Sequence, residues 1–275
     1  MFYIFYMENN NSVLSFYENY NENERIIRDP LEFIRTKELI SRYLPKTPIK
    51  IVDLCGASGH YAYWLAEKGH EVHLMDLSQK HINEALFNKK NYKAQLASLE
   101  CGDARSLKYN DESFDMVLLM GALYHLQGKE DRLQCLKEVH RILKNNGIAV
   151  FAYISRFASL IDGFKYGYIN DTVFLEIMDN DIYTGRHNNP NNKTNYFTNA
   201  YFHSINEIYD ELLCTKFCDI MVYAVEGFGS IINDDEYLND NEKLKKLLHY
   251  IKVTEQNMDI IGISGHQLAI CKKII

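Results

Sequence analysis

The chain has 275 residues, of which 47% are hydrophobic and 13% aromatic, with 20 tyrosines; that is enough apolar mass for a substantial core and excludes a disordered chain. A formal net charge of -7 argues against a nucleic-acid partner, because such binding draws most of its affinity from lysine and arginine. The length exceeds that of a usual single domain, so a large α/β domain with additions is expected.

The apolar start Met1 to Met7 is too short for a signal segment or a membrane span, lacks a basic flank and runs into polar Glu8 to Asn11, so no membrane association is expected and Met7 is the expected start. Arg35 to Tyr43 has helical character and is stopped by Pro45 and Pro48 before the apolar run Ile49 to Leu54, a short buried strand. Cys55-Gly56-Ala57-Ser58-Gly59 then forms a tight turn, and Tyr61, Ala62, Trp64, Leu65 and Ala66 follow at helical spacing up to Gly69. The unit repeats: Glu71 to Met75 as strand, Ser78 to Lys89 as helix, Ala97 to Cys101 and Phe114 to Met120 as strands, Lys129 to Leu143 as helix, a turn at Asn145-Asn146-Gly147, and Ile148 to Tyr153 as strand. Alternating strands and helices predict a mostly parallel, doubly wound sheet with helices on both faces.

From Arg156 to Ala200 the rhythm breaks into an aromatic, Asn-rich segment, expected as an inserted lid with Tyr196 to Phe202 in its core. Ile205 to Cys214 reads as helix, Phe217 to Val225 as strand, Glu242 to His249 as a charged amphipathic helix and Gln267 to Lys272 as a final strand. The expected organisation is an N-terminal helical cap (1–48), a cofactor-binding core (49–155), the lid (156–200) and a C-terminal part of the sheet (201–275) with a helical insertion at 227–263. The six cysteines lie in apolar runs without a Cys-x-x-Cys pair, the usage of reduced thiols in a cytoplasm. Cys214 and Cys218, four apart, read as buried helical neighbours.

In an open parallel sheet, ligands bind outside the carboxyl ends of the strands. Here those ends carry Asp53 with the small loop Cys55 to Gly59, then Asp76-Leu77, then Gly102-Asp103-Ala104, then Met120-Gly121 with Tyr124-His125. Small residues let backbone approach a ligand closely. Asp76 suits a ribose diol and Asp103 an exocyclic amine such as that of adenine. A dinucleotide fingerprint needs Gly-x-Gly-x-x-Gly, and this loop has only Gly56 and Gly59, which places a nicotinamide oxidoreductase second. A non-catalytic nucleotide-binding module is a third reading. Asp115, at the start of its strand, faces the wrong edge and is expected to be structural.

Together these features resemble the class I, Rossmann-like, S-adenosylmethionine-dependent methyltransferases over residues 49–155. Ile51 to Gly59 is similar to the family's first motif, with Cys55 and Ala57 in place of usual glycines; Asp76 resembles its ribose-binding acid and Gly102-Asp103-Ala104 its adenine-contacting motif. Phe114 to Val117, Tyr124-His125-Leu126 and Glu138 to Gly147 resemble its fourth strand, the following turn, and the helix and turn before the fifth strand. Flanking residues Glu24-Arg25, Glu32 to Thr36, Ile154 to Ala158, Tyr201 to His203, Glu226-Gly227 and Ser264 to His266 extend the resemblance to a bacterial subgroup of small-molecule methyltransferases.

The resemblance implies a seven-stranded sheet whose last strand is antiparallel, with N-terminal helices and inserted segments over the site. It implies S-adenosylmethionine as cofactor, S-adenosylhomocysteine as product and a small-molecule acceptor, and leaves the methylated atom and the oligomeric state open. Arg35 is a candidate for the cofactor's carboxylate, and Tyr124 and His125 for orienting or deprotonating the acceptor. His187, His203, Glu226 and His266 are expected to line an acceptor pocket rather than to bind a metal, since no HxxxH or HExxH pair exists.

Overall fold

The structure, a computed structural model, describes residues 13–20, 30–190, 193–232 and 234–274; Met1, Met7 and the flank Glu24-Arg25 lie outside them. Its centre is a seven-stranded sheet in the order β3-β2-β1-β4-β5-β9-β8. The strands are β1 (Lys50–Leu54), β2 (Glu71–Asp76), β3 (Ser98–Cys101), β4 (Phe114–Leu119), β5 (Leu143–Ile154), β8 (Phe217–Ala224) and β9 (His266–Lys273), and a two-stranded ribbon pairs β6 (Arg186–His187) with β7 (Ala200–Tyr201). From β3 to β5 all pairings are parallel. The last strand, β9, runs antiparallel to both β5 and β8, between which it lies.

Both faces of the sheet are buried, and the period-2 alternation of a strand divides its side chains between them. Val52, Leu54, Val117 and Leu119 pack on one side with Leu136 and Val139 of helix Lys129–Ile142 and Ile208 and Leu212 of helix Ile205–Cys214. Ile51, Met116 and Leu118 pack on the other with Leu39, Ala62, Leu65 and Ala85, from helices Pro30–Ser41, His60–Glu67 and Gln79–Asn88. This two-sided burial explains why the strands read as nearly continuous apolar runs.

Two local expectations fail for identifiable reasons. Asn145 to Gly147 is not a turn ahead of the strand but part of β5, which starts at Leu143: Phe114 pairs with Leu143 and Met116 with Ile148, so the extra residues bulge, with Asn146 at φ 60°. Cys214 and Cys218 do not share a helix, because Lys216, at φ 65°, separates the helix end from β8; Cys214 is exposed.

Between β5 and the Ile205–Cys214 helix the chain leaves the sheet as helices Ala158–Lys165 and Thr172–Thr184 and the β6–β7 ribbon, with Phe174, Ile177 and Tyr196 forming a small core of their own. At the other end of the chain, helical residues 13–19 are anchored by Lys80, whose ammonium donates to the carbonyls of Tyr17, Glu18 and Tyr20 at 2.6, 3.2 and 3.1 Å. Among the described residues no helix is long and apolar enough to cross a membrane.

Candidate functional site

Directly after β1 the chain turns through Cys55 at φ 58° and Ala57 at φ 48°, both in the left-handed region, and Gly59 at φ 83° caps the His60–Glu67 helix. The turn is held to β2 by the Cys55 N–H, which donates to the Met75 carbonyl at 2.8 Å, and by the Ala57 N–H, which donates to Asp76 Oδ2 at 2.9 Å. Gly56 has no space for a side chain, since a Cβ would stand 2.4 Å from Leu74 and 2.5 Å from an Asp53 oxygen. Left-handed backbone costs a residue with a Cβ about 1 kcal/mol or more. Ala57→Gly is therefore expected to raise stability by a few tenths to about 1 kcal/mol after the unfolded-state entropy of glycine is subtracted; urea unfolding checks it.

The loop forms the floor of a cleft outside the carboxyl ends of β1 to β5. Cys55, Gly56, Ala57, Ser58, Asp76, Leu77, Asp103, Ala104, Met120, Gly121, Tyr124, His125 and His266 of the sequence-predicted set all line it. At Gly121 backbone again approaches closely, as a Cβ would stand 3.2 Å from that of Cys55. Gly59 and Gly102 support the lining from behind, with no room at Gly102 for a Cβ against Met75 Sδ.

Asp76 is more occupied than a bare diol acceptor would be. Its Oδ1 accepts from the Ser78 N–H at 2.8 Å and faces His81 Nδ1 at 3.1 Å, while Oδ2 holds Ala57. Asp103 is clamped by Arg105, whose guanidinium reaches both carboxylate oxygens at 2.7 to 3.2 Å. Asp53 lies behind the cleft, beneath Gly56, and is fully buried. Among the described residues no hydrogen bond of good geometry reaches either of its oxygens. Burial, reinforced by the negative charge of Asp76 and partly offset by the Ala62 N–H, pushes its carboxyl up to about 8.

At the opposite wall the short helix Ala122–His125 presents Tyr124 and His125. Tyr124 donates its hydroxyl to the Met120 carbonyl at 2.8 Å. His125 Nε2 lies 3.0 Å from the Tyr17 hydroxyl, its ring stacks on Phe197 of the lid, and its buried Nδ1 has no hydrogen-bond partner among the described residues. Burial, against the opposing charge of Asp76, pushes the imidazole down to about 3. Thr36, from the Glu32 to Thr36 flank, also lines the cleft, and so do Tyr17, His60, Ser78, His81 and Arg105, which the sequence did not mark as site residues. His81, five residues after Asp76 in the first turn of a helix, was the one with a local signal; Tyr17 is brought in from a hundred residues away.

Three predicted residues lie elsewhere. Arg35 is buried in a pair with Glu255 at 2.5 Å, touches Glu38 and donates to the Val225 carbonyl, so its guanidinium is committed to joining the Pro30–Ser41 helix to the C-terminal part of the fold. His187 is held inside the lid between Asp181 at 2.7 Å and the Tyr196 carbonyl at 2.6 Å. His203 is fully buried beside Glu211, its ring packed between Tyr153 and Tyr201, and burial lowers its basicity. Glu226 lies behind His266, whose Nδ1 it meets at 2.6 Å; against burial, that pairing keeps its carboxyl below the usual range. With Glu32 these two bring their ligand atoms within 4.8 Å of one another, Glu32 and His266 lining the end of the cleft and Glu226 standing behind them.

Because Arg35 is structural, Arg35→Met should leave cofactor affinity unchanged while costing roughly 1 to 3 kcal/mol of stability, since the Val225 carbonyl loses its donor whereas Glu255 keeps Arg42. Thermal unfolding and ligand titration on the same sample separate the two effects.

The sheet order, the antiparallel β9 and the cleft over the β1 loop define the fold of the class I methyltransferases. Residues 52–151 match the family described as "Methyltransferase domain". Solved structures of S-adenosylmethionine-dependent methyltransferases from Methanosarcina mazei (TM-score 0.58, 18% identity, 86% of this chain and 97% of that one) and Mesorhizobium loti (TM-score 0.58, 17% identity, 88% and 100%) share the fold. A putative methyltransferase of Bacillus subtilis is 34% identical over 109 residues, covering 39% of this chain and 43% of its own. A demethylmenaquinone methyltransferase of Alkalihalophilus pseudofirmus is 28% identical over 139 residues, covering 50% and 58%. The chain thus spans about half the length of the curated relatives it matches.

Proposed function

We propose that the chain transfers a methyl group from S-adenosylmethionine to a small-molecule acceptor. The observation that carries this reading is the convergence of the Cys55–Gly59 loop, Asp76 and Asp103-Ala104 on one cleft at the ends of β1, β2 and β3. The family match at 52–151 and the named relatives support it. When bound, the cofactor supplies a methyl group already activated on a sulfonium. A carboxylate offers about four lone-pair positions, and three of those on Asp76 are taken. His81, with the longest of the three contacts, is the partner that yields when a ribose diol docks. Asp103, which takes four contacts from the backbone N–H and guanidinium of Arg105, exchanges one of them for an exocyclic amine when the ligand docks. Gly56 and Gly121 let backbone approach the bound ligand.

On the acceptor side Tyr17, Tyr124, His125 and Phe197 enclose aromatic surface that excludes water and favours a near-attack arrangement. An imidazole held at about 3 is a poor proton store at neutral pH, so His125 acts as a neutral hydrogen-bonding group that orients the acceptor. The rate of methyl transfer is accordingly expected to show no inflection from His125 between about pH 5 and 8, where an ordinary histidine titrates; a pH–rate profile of wild type against His125→Gln reads this directly.

Calorimetric titration with S-adenosylmethionine, S-adenosylhomocysteine and NAD tests the whole reading. Saturable binding of the first two and none of NAD is the expected result. NAD binding by folded protein that ignores both sulfur compounds would overturn it.

A further inference from the structure

The helix that carries Tyr124 and His125 has only four residues, too short to hold itself together. The segment that follows is held on its outer side by Gln127, whose amide donates to the His187 and Ala200 carbonyls, and on its inner side by Arg132. One nitrogen of that guanidinium, Nη1, donates to the carbonyls of Leu126 and Gln127, each at 2.9 Å. The remaining fork, Nε and Nη2, donates to Glu211 Oε1 at 3.1 and 2.7 Å, and the guanidinium lies 3.8 Å over the Tyr201 ring. Both charged side chains are 2% exposed. Glu211 belongs to helix Ile205–Cys214, which packs on the sheet as a core element.

We infer that the buried Arg132–Glu211 pair is the positioning unit for His125. It transmits the rigid placement of the Ile205–Cys214 helix, through the Leu126 and Gln127 carbonyls, to the wall of the cleft. The inference rests on reading that wall as the acceptor side of a methyl-transfer site. A planar fork is needed because Glu211 must fix the guanidinium plane before Nη1 can face two carbonyls at once. Lysine, a single point charge, cannot do both. Neither side chain lines the cleft, so the pair positions and is not catalytic.

The test uses full-length protein with ¹⁵N-labelled histidine, in Arg132→Lys and Glu211→Gln, with the His125 ring signal assigned through His125→Gln. Expected are cooperative unfolding above the measuring temperature, S-adenosylhomocysteine affinity equal to wild type, and a His125 signal moved beyond its linewidth while that of His81 stays in place. A pair that served stability alone would lower the unfolding temperature and leave the His125 signal where it is in the wild type. That result in either folded variant overturns the inference, and so does failure of both variants to fold. Should wild type not bind S-adenosylhomocysteine, the methyl-transfer reading falls, while the His125 signal still decides whether the pair positions that wall.

Discussion

Asp76→Ala is expected to lose roughly 100-fold to 10,000-fold in affinity for S-adenosylhomocysteine. Two contributions add. A carboxylate that accepts two hydroxyls makes charge-assisted hydrogen bonds worth about 1.5 to 3 kcal/mol each, and every 1.4 kcal/mol is a factor of about ten. Removing the side chain also frees the Ala57 N–H and the Ser78 N–H, so the loop over Gly56 and the start of the Gln79–Asn88 helix lose their common anchor. Asp76→Asn should lose nearly as much, since its amide NH2 would have to face one of those donors. Calorimetry at fixed ionic strength, with circular dichroism to confirm folding, makes the comparison. Unchanged affinity in a folded variant would remove Asp76 from the cofactor site.

Much of this site was legible because it is local. The loop, Asp76 and Asp103-Ala104 sit within a few residues of strand ends that hydrophobic runs reveal, and strand ends in a parallel sheet share one edge. Arg35, His187 and His203 were misplaced because a polar side chain's partner is set by tertiary packing. Glu255, Asp181 and Glu211 lie 220, 6 and 8 residues away, and only the first of these crosses the fold. The His187 and His203 partners were near in sequence, yet helical and ribbon geometry had to be known before either could be read as an internal pair. Tyr17 was invisible for the opposite reason: residues 13–19 carry no strong apolar period, and their place over the cleft depends on Lys80 and Phe197. The bulge at Asn145 to Gly147 shows the same limit, as a turn signature marks strand irregularity equally well.

Asp53→Asn is expected to change the shape of the stability curve against pH. Unfolded, the Asp53 carboxyl titrates near 3.9; folded, it is held at about 8. Between these values the folded state keeps a proton that the unfolded chain has released, so stability is greatest below the lower value, falls as pH rises, and levels above the upper one. At pH 7 the difference amounts to roughly 4 kcal/mol relative to acid conditions, from 1.36 kcal/mol per pH unit over about three units. The Asn variant has no such titration, so its stability relative to wild type should climb steadily in urea unfolding at pH 5, 6, 7 and 8. A constant offset across that range would show that Asp53 is ionised throughout. The same carboxyl links to ligand charge: a sulfonium in the cleft favours the ionised form, whereas the neutral thioether of S-adenosylhomocysteine does not. At pH 7 binding of S-adenosylmethionine should therefore release protons that its product does not, a difference read from binding heats in buffers of unlike ionisation enthalpy and absent in Asp53→Asn. Equal proton release for both ligands would mean that the charge beneath Gly56 is not felt where the methyl group is bound.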